Sequence, residues 1–246
     1  MKQTHAMVVP ALLGLAFVPV TSLAGQWGLG VGVAVQQQPQ QGIDTEAFVL
    51  PFPSYEGERL SLSLGSVSYS LTDSDRFRFA LEGQVRFDGY DPDDSAMLTG
   101  MQERDATFDA GFSVATSGDW GIATLQVVGD VLSRHKGYEI SASYEYPVKL
   151  GRWIVAPSIG ANWRSDDLVD YYYGVRSFEA TAERPAYTGE SVVNASVGVT
   201  LMREIADRWQ LVGGAEYVLL GDDIEDSPII DKDRETVAFG AIVYLF

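Results

Sequence analysis

An alternation of period two runs through nearly all of this chain and constrains its fold more than any other feature. From Gln26 to Gln37, the residues Trp27, Leu29, Val31, Val33 and Val35 alternate with Gly28, Gly30, Gly32, Ala34 and Gln36. Phe77, Phe79, Leu81, Val85 and Phe87 alternate in the same way with Arg78, Ala80, Glu82, Gln84 and Arg86. Successive side chains of a strand point to opposite faces, so each segment has one apolar face and one small or polar face. The pattern recurs in 106–115, 138–146, 153–163, 191–201, 209–219 and 236–246, and no helical period competes over a comparable length.

A soluble sandwich would alternate too, so the strand ends and lengths decide. Trp27, Tyr138, Tyr146, Trp153, Trp163, Trp209, Tyr217 and Tyr244 stand at strand ends, as in the two interfacial girdles of a membrane barrel. The segments run to about 10 to 14 residues, roughly twice the usual soluble strand and enough to cross a bilayer at a tilt. The expected fold is all-β: an antiparallel transmembrane β-barrel occupying 25–246 as one domain.

Residues 1–24 read as a cleaved export signal. Lys2 supplies the positive start, Met7 to Val20 the apolar core, and Ser22-Leu23-Ala24 the small-x-small cleavage motif, with cleavage after Ala24. The apolar run is too short for a transmembrane helix and holds Pro10 and Pro19. Signal and strands together place the chain in the outer membrane of a Gram-negative cell, surrounded by its lipid.

Links between strands alternate short and long, which sends short turns to the periplasm and long loops outward. Counting 45–53 as a strand gives about eleven, against the even numbers of bacterial barrels. Pro51 and Pro53 lack ladder donors and demote that segment, so ten strands is the preferred count. Twelve is the alternative: within 60–71 the apolar face changes phase at Gly65 and Ser66, as a hairpin would require, although each half is then too short to span.

The inward faces are expected to carry Arg78, Glu82, Arg86, Asp109, Glu139, Glu145, Arg164 and Glu216. Their mixed signs suit either a selective pore or a ladder of paired charges filling a narrow lumen, and the narrowness of small barrels favours the filled reading. Glu139 and Glu145 lie on one strand at about 20 Å, too far apart for either glycosidase geometry. Of the two histidines, His5 leaves with the signal, and His135 sits in a polar link and reads as a solvated loop residue. No catalytic constellation, metal site or cofactor is expected.

The 34 acidic residues against 17 Lys and Arg exclude nucleic acid as a partner, because phosphate binding needs the opposite sign. Two loops concentrate the acids: Asp88, Asp91, Asp93, Asp94, Glu103 and Asp105 in one, and Asp222, Asp223, Glu225, Asp226, Asp231, Asp233 and Glu235 in the other. Hard divalent cations would accept such oxygens, but the spacing is not that of an EF-hand, and a solvated face is the expectation. Tyr171-Tyr172-Tyr173, near Arg176 and Phe178, suits a contact patch or packing within its loop.

Several stretches carry a resemblance. The run Leu219-Leu220-Gly221-Asp222-Asp223-Ile224-Glu225-Asp226-Ser227-Pro228-Ile229-Ile230, followed by a last strand ending Tyr244-Leu245-Phe246, is similar to the MipA/OmpV family of outer-membrane proteins. So are Val49-Leu50-Pro51-Phe52-Pro53, Tyr172-Tyr173-Gly174-Val175 and Arg184-Pro185-Ala186-Tyr187-Thr188. The first loop departs from the family pattern, with Gln36-Gln37-Gln38-Pro39-Gln40-Gln41-Gly42 where a tyrosine-glycine-serine-aspartate-like stretch is usual. The resemblance implies an outer-membrane location and a non-enzymatic scaffold joining a lytic transglycosylase to a bifunctional penicillin-binding protein. Other members imply adhesin-like or osmolarity-responsive roles, and a small passive channel is the alternative. Ile242, Tyr244 and Phe246 resemble the terminal signal read by the barrel-assembly machinery.

Overall fold

Thirteen strand segments and two short helices follow one another in the computed structural model, which describes residues 25–246 except 44, 73 and 75. The expected export signal, 1–24, lies outside the described residues. In chain order the strands are β1 Gln26–Gln37, β2 Glu46–Glu56, β3 Leu60–Ser63, β4 Ser66–Ser70, β5 Phe77–Arg86, β6 Thr107–Gly118 and β7 Gly121–Asp130. Then come β8 Tyr138–Glu145, β9 Val148–Leu150, β10 Trp153–Arg164, β11 Val192–Ala206, β12 Trp209–Leu219 and β13 Arg234–Leu245. Helix α1 covers Asp166–Tyr173 and α2 covers Asp222–Glu225. Neighbours pair antiparallel in sequence order, and β1 closes on β13 from Gly28↔Leu245 to Gln37↔Thr236.

The wall has twelve positions, not the preferred ten, because β8 and β9 both pair with β10 and share one position, broken at Tyr146-Pro147. The ten-strand count departs from the wall at two segments, one it set aside and one it took as a single strand. The first is β2, which pairs with β1 along its length despite Pro51 and Pro53. On β1 the odd residues turn their backbone polar groups toward β13, since the N–H of Phe246 donates to the carbonyl of Trp27. The even residues of β1 therefore serve β2, and the β2 residues that answer them are Phe48, Leu50, Phe52 and Ser54. Pro51 and Pro53 face the other way, where β3 pairs only with Tyr55 and Glu56. Their missing donors fall on an edge with no partner strand, the place where a sheet tolerates proline.

The second correction is the hairpin β3–β4, whose turn is Leu64-Gly65 with Gly65 at φ 75°. The phase change at Gly65 and Ser66 is that turn. The hairpin need not span, because full-length β2 and β5 flank it and it fills only the periplasmic half of the wall.

The apolar faces meet lipid as expected: Trp27, Leu29, Val31, Val33 and Val35 are exposed on β1, and Val193 and Val197 on β11. Aromatic pairs rim the barrel, with Trp27–Tyr55, Trp209–Tyr244 and Tyr244–Phe246 at the end that holds the short turns and Tyr138–Trp163 at the other. The interior is divided. Phe52, Met202, Val212, Ala241 and Val243 form an apolar cluster on the β11–β2 side, whereas β5–β10 send polar groups inward.

Candidate functional site in the barrel lumen

Four of the eight expected lumen charges meet in one buried layer toward the outer end. Arg86 donates from Nε to Asp109 at 2.7 Å and from Nη1 to Glu139 at 3.2 Å and Asp88 at 2.9 Å. Arg164 donates from Nε to the same Glu139 oxygen at 3.1 Å and from Nη1 to the Tyr173 hydroxyl at 3.1 Å. That hydroxyl in turn donates to Glu235 at 3.3 Å. The bonds cross the lumen from β5 through β6, β8 and β10 to β13, and these side chains are almost wholly buried. Buried ions persist only when paired, and here the inward positions of strands far apart in sequence supply the pairs.

The other four do not join this layer. Arg78 donates to Ser68 at 3.0 Å, and Glu82 accepts from Ser113 at 2.6 Å and Ser68 at 3.1 Å. Glu145 and Glu216 line the lumen without an ion pair among the described residues. The ladder of mutually paired charges is thus corrected to one compact layer, with hydroxyls answering the charges below it. Below the layer lies a cavity of about 270 Å³, bounded by Glu82, Gln126, Ser143, Asn162 and Glu216 among others.

His135 is not solvated. Positive φ at Ser133 and Lys136 folds the β7–β8 link back into the barrel mouth. The imidazole is 3% exposed, its Nε2 3.0 Å from Asp109 and its Nδ1 accepting the Gly137 N–H. Asp109, Asp130 and His135 offer ligand atoms close enough for a metal ion. Those atoms already answer Arg86, Thr107 and the N–H groups of Leu132, Lys136 and Gly137, and the Arg86 cation beside them opposes a second.

Over the charge layer sits α1, which the sequence reading left as loop. Leu168, Val169, Tyr172 and Tyr173 are buried against Val192, Val218, Leu220 and Ile224, so two of the three consecutive tyrosines pack inward. The long loops then lock over it through residues the sequence reading missed. Arg104 donates to Glu179 at 2.9 Å and to the Tyr171 carbonyl at 2.6 Å, and Glu179 also accepts the N–H groups of Gln102 and Arg176. Arg184 donates to the carbonyls of Met97 and Glu179. Burial alone would raise the Glu179 pKa, but these donors hold it below the usual carboxylate range. Asp88 is likewise depressed: burial is outweighed by the guanidinium groups of Arg164 and Arg86. Burial pushes the Tyr90 hydroxyl up to about 12, so it stays neutral beneath the cap. The acidic loops are mostly solvated as expected; Asp88 and Glu235 are the members that turn in.

A closed antiparallel wall with an apolar outer face, aromatic rims and a charged interior defines an outer-membrane β-barrel. The family model described as MltA-interacting protein MipA matches residues 29–246, and the chain belongs to that family. Outer membrane protein Omp26La of Vibrio anguillarum is 29% identical over 224 residues, covering 90% of this chain and 87% of that one. The MltA-interacting protein of Escherichia coli K12 is 28% identical over 231 residues, covering 92% and 93%. Among solved structures, an outer membrane channel from Pseudomonas putida F1 aligns with 95% of this chain and 100% of its own at TM-score 0.47 and 11% identity.

Proposed function

We propose that this protein is a non-enzymatic scaffold that holds cell-wall enzymes at the periplasmic rim of the outer membrane, a lytic transglycosylase and through it a bifunctional penicillin-binding protein. The observation that carries the reading is the filled outer half of the lumen. The charge layer, α1 and the locked loops stand where a channel needs a water path, which leaves the rims as the working surfaces. A relative named for interaction with MltA supports the choice of partner.

The rim offers a place for contact. Where β8 breaks at Tyr146-Pro147, these two residues border a depression with Arg76 and Asp119, and Trp120 stands exposed in the adjoining β6–β7 turn. Exposed Trp, Tyr and Arg are the residue types on which interfaces concentrate their energy.

The test is photo-crosslinking in intact cells from a probe placed at Asp119, followed by identification of the attached proteins. Recovery of a lytic transglycosylase is the expected result. The polar cavity favours a second reading, a small passive channel. Steady conductance steps in planar bilayers, with no cell-wall enzyme crosslinked, would replace the scaffold with the channel.

A further inference from the structure

The wall contains a seam that no ladder closes. From Ala47 to Pro53, the edge of β2 away from β1 has no strand partner among the described residues. Opposite it stand the β3–β4 tip and the end of β5, where Leu64 and Phe87 pack with Phe48 against Leu50 and Ala34. The register Val33↔Val49 and Val31↔Pro51 sets this edge beside exposed lipid-facing valines, at hydrocarbon depth.

Three physical points follow from that geometry. An open edge in hydrocarbon exposes unpaired donors, each costly, and Pro51 and Pro53 remove two of them while discouraging another strand from pairing there. The apolar contacts that close the seam gain little over contact with lipid, since acyl chains are as apolar as leucine. Behind the seam lies the lumen cavity, which has Leu64, Phe87 and Phe239 on its apolar side and Glu145 and Glu216 on its polar side. Glu145 is buried, and its Oε1 meets no hydrogen-bond donor among the described residues. Beside one cation, Arg78, the cavity lining holds three carboxyl groups, Glu82, Glu145 and Glu216.

We propose that the seam between β2 and the β3–β4 tip is a lateral portal from the outer leaflet into the lumen cavity. Its occupant is a single-chain amphiphile with an ammonium head group. The chain replaces the contacts among Phe48, Leu50, Leu64 and Phe87, and the head donates to the unpartnered Glu145 Oε1. This path is independent of the rim and stands whether or not the scaffold reading holds.

The chain has no cysteine, so paired thiols can be introduced without interference. The full-length protein in lipid nanodiscs is exposed to a long-chain alkylammonium bearing a chain diazirine, illuminated, and mapped by peptide mass spectrometry. The expected labels fall on Leu64, Phe87 and the interior Phe239, and the same chain with a carboxylate head loses the Phe239 label. In a Leu50→Cys/Leu64→Cys variant, bridging the thiols with a short bifunctional reagent abolishes labelling of Phe239 and leaves the lipid-facing Val31 label intact. The unbridged variant, checked for heat-dependent mobility in electrophoresis, serves as the folded control. Labelling of Leu29 and Val31 without Phe239, or Phe239 labelling that survives bridging, overturns the portal.

Discussion

Arg86 and Glu139 meet inside the barrel across 53 positions of sequence, Nη1 to Oε2 at 3.2 Å. The same oxygen takes the Nε of Arg164, so one carboxylate on β8 ties β5 to β10. Removing one partner of a buried pair typically costs about 3–5 kcal/mol. Glu139→Ala should lower the unfolding free energy in urea by about that much. With Arg86 and Arg164 each short of one carboxylate under α1, Arg86 keeping Asp109 and Asp88, it should also give the barrel conductance steps in planar bilayers. A variant that unfolds normally and stays silent would mean that the layer neither stabilises nor fills the lumen.

The outer cap should loosen in acid while the wall holds. Glu179 and Asp88 have folded pKa values below their ordinary ones, so their stabilisation is complete above the usual carboxylate range and disappears as pH falls through the folded values. Limited proteolysis of loops 87–106 and 165–191 across that range should show cutting that begins in acid. In Glu179→Gln, cutting should occur at neutral pH and depend less on pH. Loops equally resistant at every pH would contradict the assignment.

The paired prolines of β2 have a testable cost of removal. Pro51→Val with Pro53→Val restores two N–H donors on an edge without a partner, and an unsatisfied donor in hydrocarbon costs several kcal/mol. The expected result is a lower yield of heat-modifiable barrel, or dimers joined edge to edge that chemical crosslinking detects. Unchanged yield and a clean monomer would show that the edge finds donors' partners in the native wall.

At the periplasmic rim, Tyr244 stacks edge-on with both Trp209 and Phe246. Such pairs contribute about 0.5–1.5 kcal/mol each beyond burial. If Tyr244 and Phe246 serve only the girdle, Phe246→Ala costs that amount and leaves abundance normal. If Ile242, Tyr244 and Phe246 are also read during assembly, the variant should accumulate in the periplasm and be degraded. Quantifying protein in each fraction separates the two.

Much of the wall was legible in the sequence because a side chain on a strand has only two directions. Thus Arg86, Asp109, Glu139 and Arg164 could be placed inside from parity alone. Parity says nothing about how far along the axis each lies, so it could not tell the layer they form from Glu145 and Glu216, which stand outside it. Pro51 and Pro53 misled the count because a missing donor matters only on a bonded side, and which side is bonded depends on a partner strand. His135 and Arg104 were hidden for a different reason. Their burial comes from long links folding over one another, and such links carry no periodicity to read. The Tyr171–Tyr173 run was the available signal for α1, since three aromatics in a polar link need somewhere to pack.

The join between β1 and β13 makes the earliest strand of the wall wait for the latest. Hairpins elsewhere in the wall form in about 1–10 μs once both arms are present. The partner of β1, by contrast, lies at the far end of the chain, so their pairing closes a loop that contains every other strand, at an entropic cost no hairpin meets. Until that last pairing forms, β1 and β13 each keep an unpaired edge, which hydrocarbon does not tolerate, so the open barrel depends on a partner's edge or the membrane interface for as long as closure takes.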